Sequence, residues 1–137
     1  MLFRSFHATN NYDGQLTGNH GVHARFERDL IEKFESRLSV NTAPPVPITN
    51  PRDAAFDALL ASYQLVDAVL KADTEAIAGK DTYDDDYFEK FFTRVRPILE
   101  KRLGDAISAT AGLIVLLVAS IMSMSARTYN PFIYFRF

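Results

Sequence analysis

The longest uncharged stretch of the sequence lies between Asp105 and Arg127. Residues 106–126 form a run of 21 residues without one charged side chain, and "GLIVLLVASIM" stands at its centre. A helix rises about 1.5 Å per residue, so this run would be about 31 Å long, close to the roughly 30 Å hydrocarbon thickness of a bilayer. The hydroxyl side chains inside the run can bond back to the preceding helical turn. The run therefore predicts a transmembrane helix over 106–126.

A soluble fold is the alternative for the same run. A helix that is apolar on all sides can form the buried centre of a helical bundle. Such a bundle needs neighbours on every side, and the sequence offers only three other amphipathic helices, each strongly charged on its outer face. The transmembrane helix is therefore favoured, and the soluble helical bundle with a buried apolar helix is kept as an alternative.

Charge is segregated along the chain. Residues 1–105 contain 13 basic and 17 acidic side chains, a net charge of −4, whereas residues 127–137 contain two Arg and no acid. An acidic head without a basic stripe excludes non-specific nucleic-acid binding. The chain has no Cys, which excludes disulfides and thiolate metal sites.

Helical periodicity dominates the head. Apolar residues recur every four positions from Val22 to Leu38, which predicts an amphipathic helix. A Pro-rich connector follows at 43–51, and Asn50 before a proline is typical of a helix start. The next helix is expected to run from Pro51 to about Ala78, with Phe56, Leu59, Leu60, Tyr63, Val66, Val69 and Leu70 on its apolar face.

A third helix is predicted after "DTYDDDY". Asp84, Asp85 and Asp86 stand where a helix N-terminus favours negative charge, and the run lacks the glycine and final glutamate of a calcium-binding EF-hand loop. Pro97 predicts a kink or a short break in this helix. The sequence thus predicts an all-α fold: a head of about three amphipathic helices plus one C-terminal transmembrane helix.

The predicted organisation has four parts. Residues 1–21 form an extended N-terminal arm that needs a partner surface, and residues 22–105 form the helical head with its connector. Residues 106–126 form the transmembrane helix and residues 127–137 an aromatic tail. No Gly-rich phosphate loop, G-x-S-x-G or H-E-x-x-H motif occurs, so we expect no enzyme, no cofactor and no small-molecule substrate.

Histidines in the arm are the main candidates for a metal site. His20 and His23 are spaced i, i+3, a separation that allows two imidazoles to ligate one metal ion. Gly21 intervenes, and no nearby Asp, Glu or Cys completes a ligand set. The expectation is therefore that these histidines form hydrogen bonds and that no metal is bound.

Two groups of residues are candidates for contact with partners. Small residues spaced four apart let membrane helices approach closely, and large aromatics suit contacts with a neighbour or with the membrane interface. The helix-packing candidates are Ser108, Gly112, Ala119 and Ser123. The aromatic candidates are Phe26, Phe34, Phe88, Phe91 and Phe92 in the head and Tyr129, Phe132, Tyr134 and Phe135 in the tail.

These features favour a structural role in a membrane. The start "MLFRSFHATNNY" has Arg, hydroxyl residues and no acid, which weakly resembles a mitochondrial presequence. More Lys and Arg precede the run than follow it, so the head is expected on the matrix side, or on the cytoplasmic side of another membrane. We expect an accessory single-span subunit of a mitochondrial inner-membrane complex, a respiratory-chain complex or the ATP synthase. Its expected partners are other subunits and the lipid bilayer. A tail-anchored adaptor or tethering protein is the alternative function.

Overall fold

The structure, a computed structural model, describes residue 3 and residues 5–45 and 48–127. Within these residues every regular element is helical, so the predicted all-α fold is confirmed. A 3-10 turn, Ser5–Ala8, precedes helix α1, which covers residues 22–37. The other helices are α2 (Pro51–Tyr63), α3 (Val66–Ile77) and α4 (Asp85–Arg127).

Helix α1 changes its pitch along its length. An α-helical turn, Val22–Ala24, leads into the π-helical segment Arg25–Asp29, and Leu30–Phe34 and Glu35–Arg37 complete it as α- and 3-10 helix. A spacing of four overshoots one α-helical turn by about 40°, so a strict four-residue stripe drifts around an ideal helix. The wider π turn offsets that drift. The predicted apolar stripe is buried at Val22, Phe26, Leu30 and Phe34.

The helix predicted over residues 51–78 is two helices. Its start is confirmed, because Asn50 Oδ1 accepts hydrogen bonds from the backbone N–H groups of Arg52 and Asp53 at 3.1 and 3.3 Å. A two-residue turn at 64–65 then separates α2 from α3. The predicted stop is also confirmed, since α3 ends at Ile77 and Gly79 follows with a φ of 73°.

Helix α4 joins the head to the apolar run without interruption. The Asp84 carboxylate caps its start by accepting the Tyr87 N–H at 2.8 Å. The break predicted at Pro97 is absent, because the helix continues through this residue to Arg127. Pro97 has no N–H to donate to the carbonyl four residues earlier, so one bond of the helical ladder is missing there. The neighbouring turns nevertheless remain helical.

The core of the head lies between α1, α3 and α4. The buried stripe of α1 faces Tyr87, Phe91 and Phe92 of α4, and the Phe34 and Phe92 rings stack with centroids 4.3 Å apart. Helix α3 closes the core. Its buried apolar residues are Val66, Val69, Leu70, Ala72 and Ala76.

The N-terminal arm differs from its prediction. Instead of extending towards a partner, residues 5–21 fold back onto the head, and the 3-10 turn packs against α2. Phe6 is fully buried in the core. Asn19 Nδ2 donates to Asp73 Oδ2 at 2.7 Å and to the Leu70 carbonyl at 3.2 Å, which fixes the end of the arm to α3. Local composition could not reveal these contacts, because they join residues about 50 positions apart.

Candidate functional site: the exposed apolar helix and its surroundings

The apolar run projects from the head without cover. Within the described part of the chain, α4 is the one helix that is long and apolar enough to cross a membrane, and only 6% of its most apolar window is buried. Leu113, Leu117 and Ile121 are between 50% and 60% exposed. The soluble alternative required neighbouring helices around this run. No helix among the described residues covers it, so the single chain does not bury the run in a bundle of its own helices.

Arg102 joins three segments just before the run begins. Its side chain is 6% exposed, and the guanidinium donates to the Ala58 carbonyl at 3.1 Å and to Ser62 Oγ at 2.5 Å, both on α2. It also donates to Asp105 Oδ2 at 3.0 Å and stands over the Phe3 ring. Burial lowers the pKa of Arg102, and Asp105 opposes that shift. Asp105, which precedes the run, also accepts a hydrogen bond from Lys101 Nζ at 2.8 Å.

Residues 38–45, which lead from α1 into the Pro-rich stretch and are called the connector from here on, lie along α4 towards the run. The Ser39 N–H donates to Glu100 Oε1 at 2.7 Å, and further along Ser108 Oγ donates to the Ala43 carbonyl at 2.9 Å. Between these bonds the Asn41 carbonyl lies so close to Gly104 that a Cβ there would collide with it. Residues 38–51 have no charged side chain. An uncharged segment therefore reaches the first turn of the apolar run.

The small residues predicted for helix packing fall into two environments. Ser108 already bonds to the connector, and Gly112 is buried, so both lie where the head meets the run. Ala119 and Ser123 are exposed. Close helix–helix contact at these positions remains a prediction, and the exposed pair is where a neighbouring helix has access.

The aromatic residues predicted to contact partners are mostly core residues. Phe26, Phe34, Phe91 and Phe92 are at most 4% exposed, and they pack on one another inside the head. This part of the prediction is wrong, because the same helical stripe that makes a residue a candidate contact also makes it the natural core. Phe88 is half-buried against the core. The tail candidates Tyr129, Phe132, Tyr134 and Phe135 lie outside the described residues.

An exposed apolar surface occurs instead on α2. Phe56, Leu60 and Tyr63 are 62%, 57% and 57% exposed, although they were predicted to form the buried face of this helix. Helix α2 turns its small residues Ala58 and Ser62 inwards, where Arg102 bonds to them. We call Phe56, Leu60 and Tyr63 the α2 patch. With residues 7–10 it lines a shallow groove on the head.

The acidic start of α4 is a set of ion pairs. Asp85 accepts from Lys33 Nζ at 2.6 Å, and Asp86 lies 2.8 Å from Lys80 Nζ and 2.7 Å from Lys90 Nζ. The hydrogen bonds from Lys80 and then Lys90 lower the pKa of Asp86 to about 2. These carboxylates therefore form ion pairs in the first turn of α4, where the sequence predicted an acidic helix start.

Three ionisable side chains meet where the arm folds over α1. His23 Nε2 lies 3.0 Å from Glu27 Oε2, and His7 Nε2 lies 3.8 Å from the same oxygen. The pair considered from the sequence was His20 with His23, but His20 is exposed and takes no part in this cluster. The expectation that no acidic residue near the histidines completes a ligand set was wrong, because Glu27 lies one helical turn from His23. The i, i+4 spacing of His23 and Glu27 was the available signal. His7 could not be assigned from spacing.

A buried polar network holds the head together. Arg25 Nη2 donates to Asp73 Oδ1 at 2.9 Å, and Arg25 Nε donates to the Tyr87 hydroxyl at 2.9 Å. The Tyr87 hydroxyl in turn donates to Asp73. Burial, and next the hydrogen bond to Asp73, raises the pKa of the Tyr87 phenol far above its usual range. Burial alone would lower the pKa of Arg25, but the bond to Asp73 and the neighbouring charges raise it.

In comparisons with known proteins, no family model matches the chain, and neither a curated protein nor a solved structure shows significant similarity to it. What the protein does must therefore be inferred from its own residues. The long apolar part of α4 is compatible with insertion into a bilayer, and the α2 patch is exposed.

Proposed function

We propose that this protein is an accessory subunit of a larger membrane complex, anchored by a single transmembrane helix over 106–126. The observation that carries the proposal is the exposure of that run: a long apolar helix surface in water is strongly unfavourable, whereas lipid or a neighbouring subunit covers it. The unbroken course of α4 supports a structural role, because it fixes the head at a set position relative to the membrane.

The α2 patch supports a partner on the head as well as in the membrane. Three large apolar side chains grouped on one helix face are typical of surfaces that another protein covers. A second subunit of the same complex is the partner we propose. In that role the chain stabilises the assembled complex, because anything that binds only the assembled state favours that state.

We further propose the mitochondrial inner membrane as its location, in a respiratory-chain complex or the ATP synthase, with the head on the matrix side. The presequence-like start supports this compartment. The orientation is supported by the excess of Lys and Arg close to the head side of the run. These residues are Lys90, Arg94, Arg96, Lys101 and Arg102.

Replacement of Leu116 by Arg tests the anchor. Leu116 lies at the middle of the run, and an Arg at a helix centre costs about 2.5–3.5 kcal/mol on membrane-insertion scales. Membranes from cells expressing each variant are extracted with alkaline carbonate, and a detergent extract is then separated by native electrophoresis with mass spectrometry. The wild-type chain is expected in the membrane pellet and in a large complex, and Leu116→Arg in neither.

Leu16→Arg is the matched control. It makes the same substitution at a leucine of the arm that is 72% exposed, so it adds the same charge without touching the run. This control should behave like the wild type. Retention and normal assembly of the Leu116 variant would contradict the proposed membrane helix.

A tail-anchored adaptor or tethering protein is the alternative function, favoured by the same α2 patch, which would then bind a transient partner. Both functions use the same membrane anchor. They differ in whether the chain is bound to its partner permanently or transiently. A subunit migrates stoichiometrically with its complex after detergent extraction, whereas an adaptor stays in the membrane fraction and separates from its partner on native electrophoresis.

A further inference from the structure

The cluster of His7, His23 and Glu27 has the composition of a metal site. Two imidazole nitrogens and one carboxylate oxygen lie within 4.8 Å of one another. This N,N,O set suits Zn²⁺ and related first-row divalent ions, for which imidazole and carboxylate are common ligands. Histidine and glutamate reach the cluster from two separate segments, the 3-10 turn and α1, so its formation depends on the fold.

The distances are close to those of a coordinated ion. Tetrahedral ligands with bonds of about 2.0–2.1 Å stand about 3.3 Å from each other. The two distances to Glu27 Oε2 are 3.0 Å from His23 and 3.8 Å from His7. All three ligand atoms lie within 4.8 Å of one another, so small side-chain rotations would bring them to the same ion. The His7 and His23 rings are already packed edge to face, with centroids 4.9 Å apart.

The three side chains of the cluster differ in burial, with Glu27 buried and the two histidines partly exposed. This difference fits an ion that keeps one coordination position open to solvent. The Glu27 side chain is 6% exposed, whereas those of His23 and His7 are 26% and 32% exposed. A cleft that also borders Asp13 and Arg28 opens on the His23–Glu27 side, so water reaches the site.

The neighbouring residues hold the ligands in place. Phe6 stacks on the His23 ring at 5.9 Å and is itself fully buried. Glu27 lies inside the π-helical segment Arg25–Asp29. Short π segments within α-helices occur frequently at functional sites. Ligands supported by packed neighbours are what a metal site needs to select one geometry.

We propose that His7, His23 and Glu27 bind one divalent transition-metal ion of the zinc class, with three protein ligands and a fourth coordination position open to solvent. The ion ties the N-terminal turn to helix α1. This site is separate from the proposed membrane helix, because none of its three ligands lies on α4.

Titration of the full chain with Co²⁺ and Zn²⁺ tests the site. The protein is purified in detergent micelles without a polyhistidine tag. Four-coordinate Co²⁺ gives visible absorption that is much stronger than that of six-coordinate Co²⁺, and Zn²⁺ should abolish it by displacement. We expect one ion per chain by calorimetry, with His7→Gln, His23→Gln and Glu27→Gln each weakening binding by about tenfold or more, at least as much as loss of a supporting residue does.

His20→Gln is the matched control, since it removes an exposed histidine of the same arm that lies outside the cluster. It should bind as the wild type does. Far-UV circular dichroism in chelator shows which variants keep the fold, and if His7→Gln unfolds, the wild type and His23→Gln decide. Absence of strong Co²⁺ absorption in the wild type would overturn the site, as would equal binding by His23→Gln and His20→Gln.

Discussion

Asp73 is the buried residue that joins three segments of the chain to α3 by hydrogen bonds. Its two carboxylate oxygens, 1% exposed, accept hydrogen bonds from Arg25 on α1, Tyr87 on α4 and Asn19 at the end of the arm. A charge buried this far is tolerated only when it is paired and hydrogen-bonded. Because each partner comes from a different segment, the network sets how these segments meet. Apolar packing alone would leave their relative positions less defined.

Tyr87 makes the stability of the head sensitive to alkaline pH. Its phenol stays protonated in the fold, whereas an unfolded tyrosine ionises near pH 10. Its contribution to stability is therefore complete below about pH 10 and is lost above it, by at most about 1.4 kcal/mol per pH unit. Urea unfolding of the full chain in micelles, followed by circular dichroism at pH 9–11, measures this slope.

Tyr87→Phe should be less stable at neutral pH, by about 1–3 kcal/mol, because Asp73 and Arg25 lose a partner. It should also show a shallower alkaline slope than the wild type. Tyr12→Phe is the matched control, as that ring is 59% exposed. Equal alkaline slopes in the wild type and Tyr87→Phe would show that ionisation of this phenol is not linked to unfolding.

At the scale of the elements, the sequence predicted those helices whose signals are local. The stripe of α1, the Asn50 cap and the acidic start of α4 all depend on residues within a few positions of one another. The prediction of which face of α2 is buried was wrong, because this helix has two faces that could pack inwards. One face has Phe, Leu and Tyr, and the other has Ala and Ser. The buried Arg102 decides between them, since only small residues let the α2 backbone approach its guanidinium.

Gly104 offers a test of how tightly the connector lies on α4. In an ordinary helix interior, Gly→Ala stabilises by about 1 kcal/mol. Here the added Cβ would collide with the Asn41 carbonyl, so Gly104→Ala must displace the connector and is expected to destabilise the head. A lower urea midpoint for Gly104→Ala than for the wild type would confirm that the connector lies against this turn of α4. A stabilised Gly104→Ala variant would mean that the connector is not held against this turn.

At the scale of the whole molecule, the head and the apolar run are parts of one helix. The contacts of Arg102, Gly104 and Ser108 bring α2 and the connector to the first turn of the run. No hinge separates the core from the segment proposed to enter the membrane, because α4 is helical from Asp85 to Arg127. A partner that holds the run thus also fixes the direction of the α2 patch. Sequence reasoning found the run but could not find the patch, which depends on how α2 is rotated.

The α2 patch gives a test of assembly that leaves the anchor intact. The triple variant Phe56→Gln, Leu60→Gln and Tyr63→Gln removes the apolar surface and places a residue of good helix propensity at each position. These side chains are mostly exposed in the isolated chain, so its stability should change little. If they form the centre of a subunit contact, their loss should cost about 2 kcal/mol or more, a weakening of association of about 30-fold.

The triple variant should therefore remain in the carbonate-resistant membrane pellet but separate from the complex on native electrophoresis. Tyr12→Gln with Leu16→Gln changes two exposed apolar residues of the arm instead and should migrate as the wild type does. Co-migration of the triple variant with the complex would remove the α2 patch from the proposed interface.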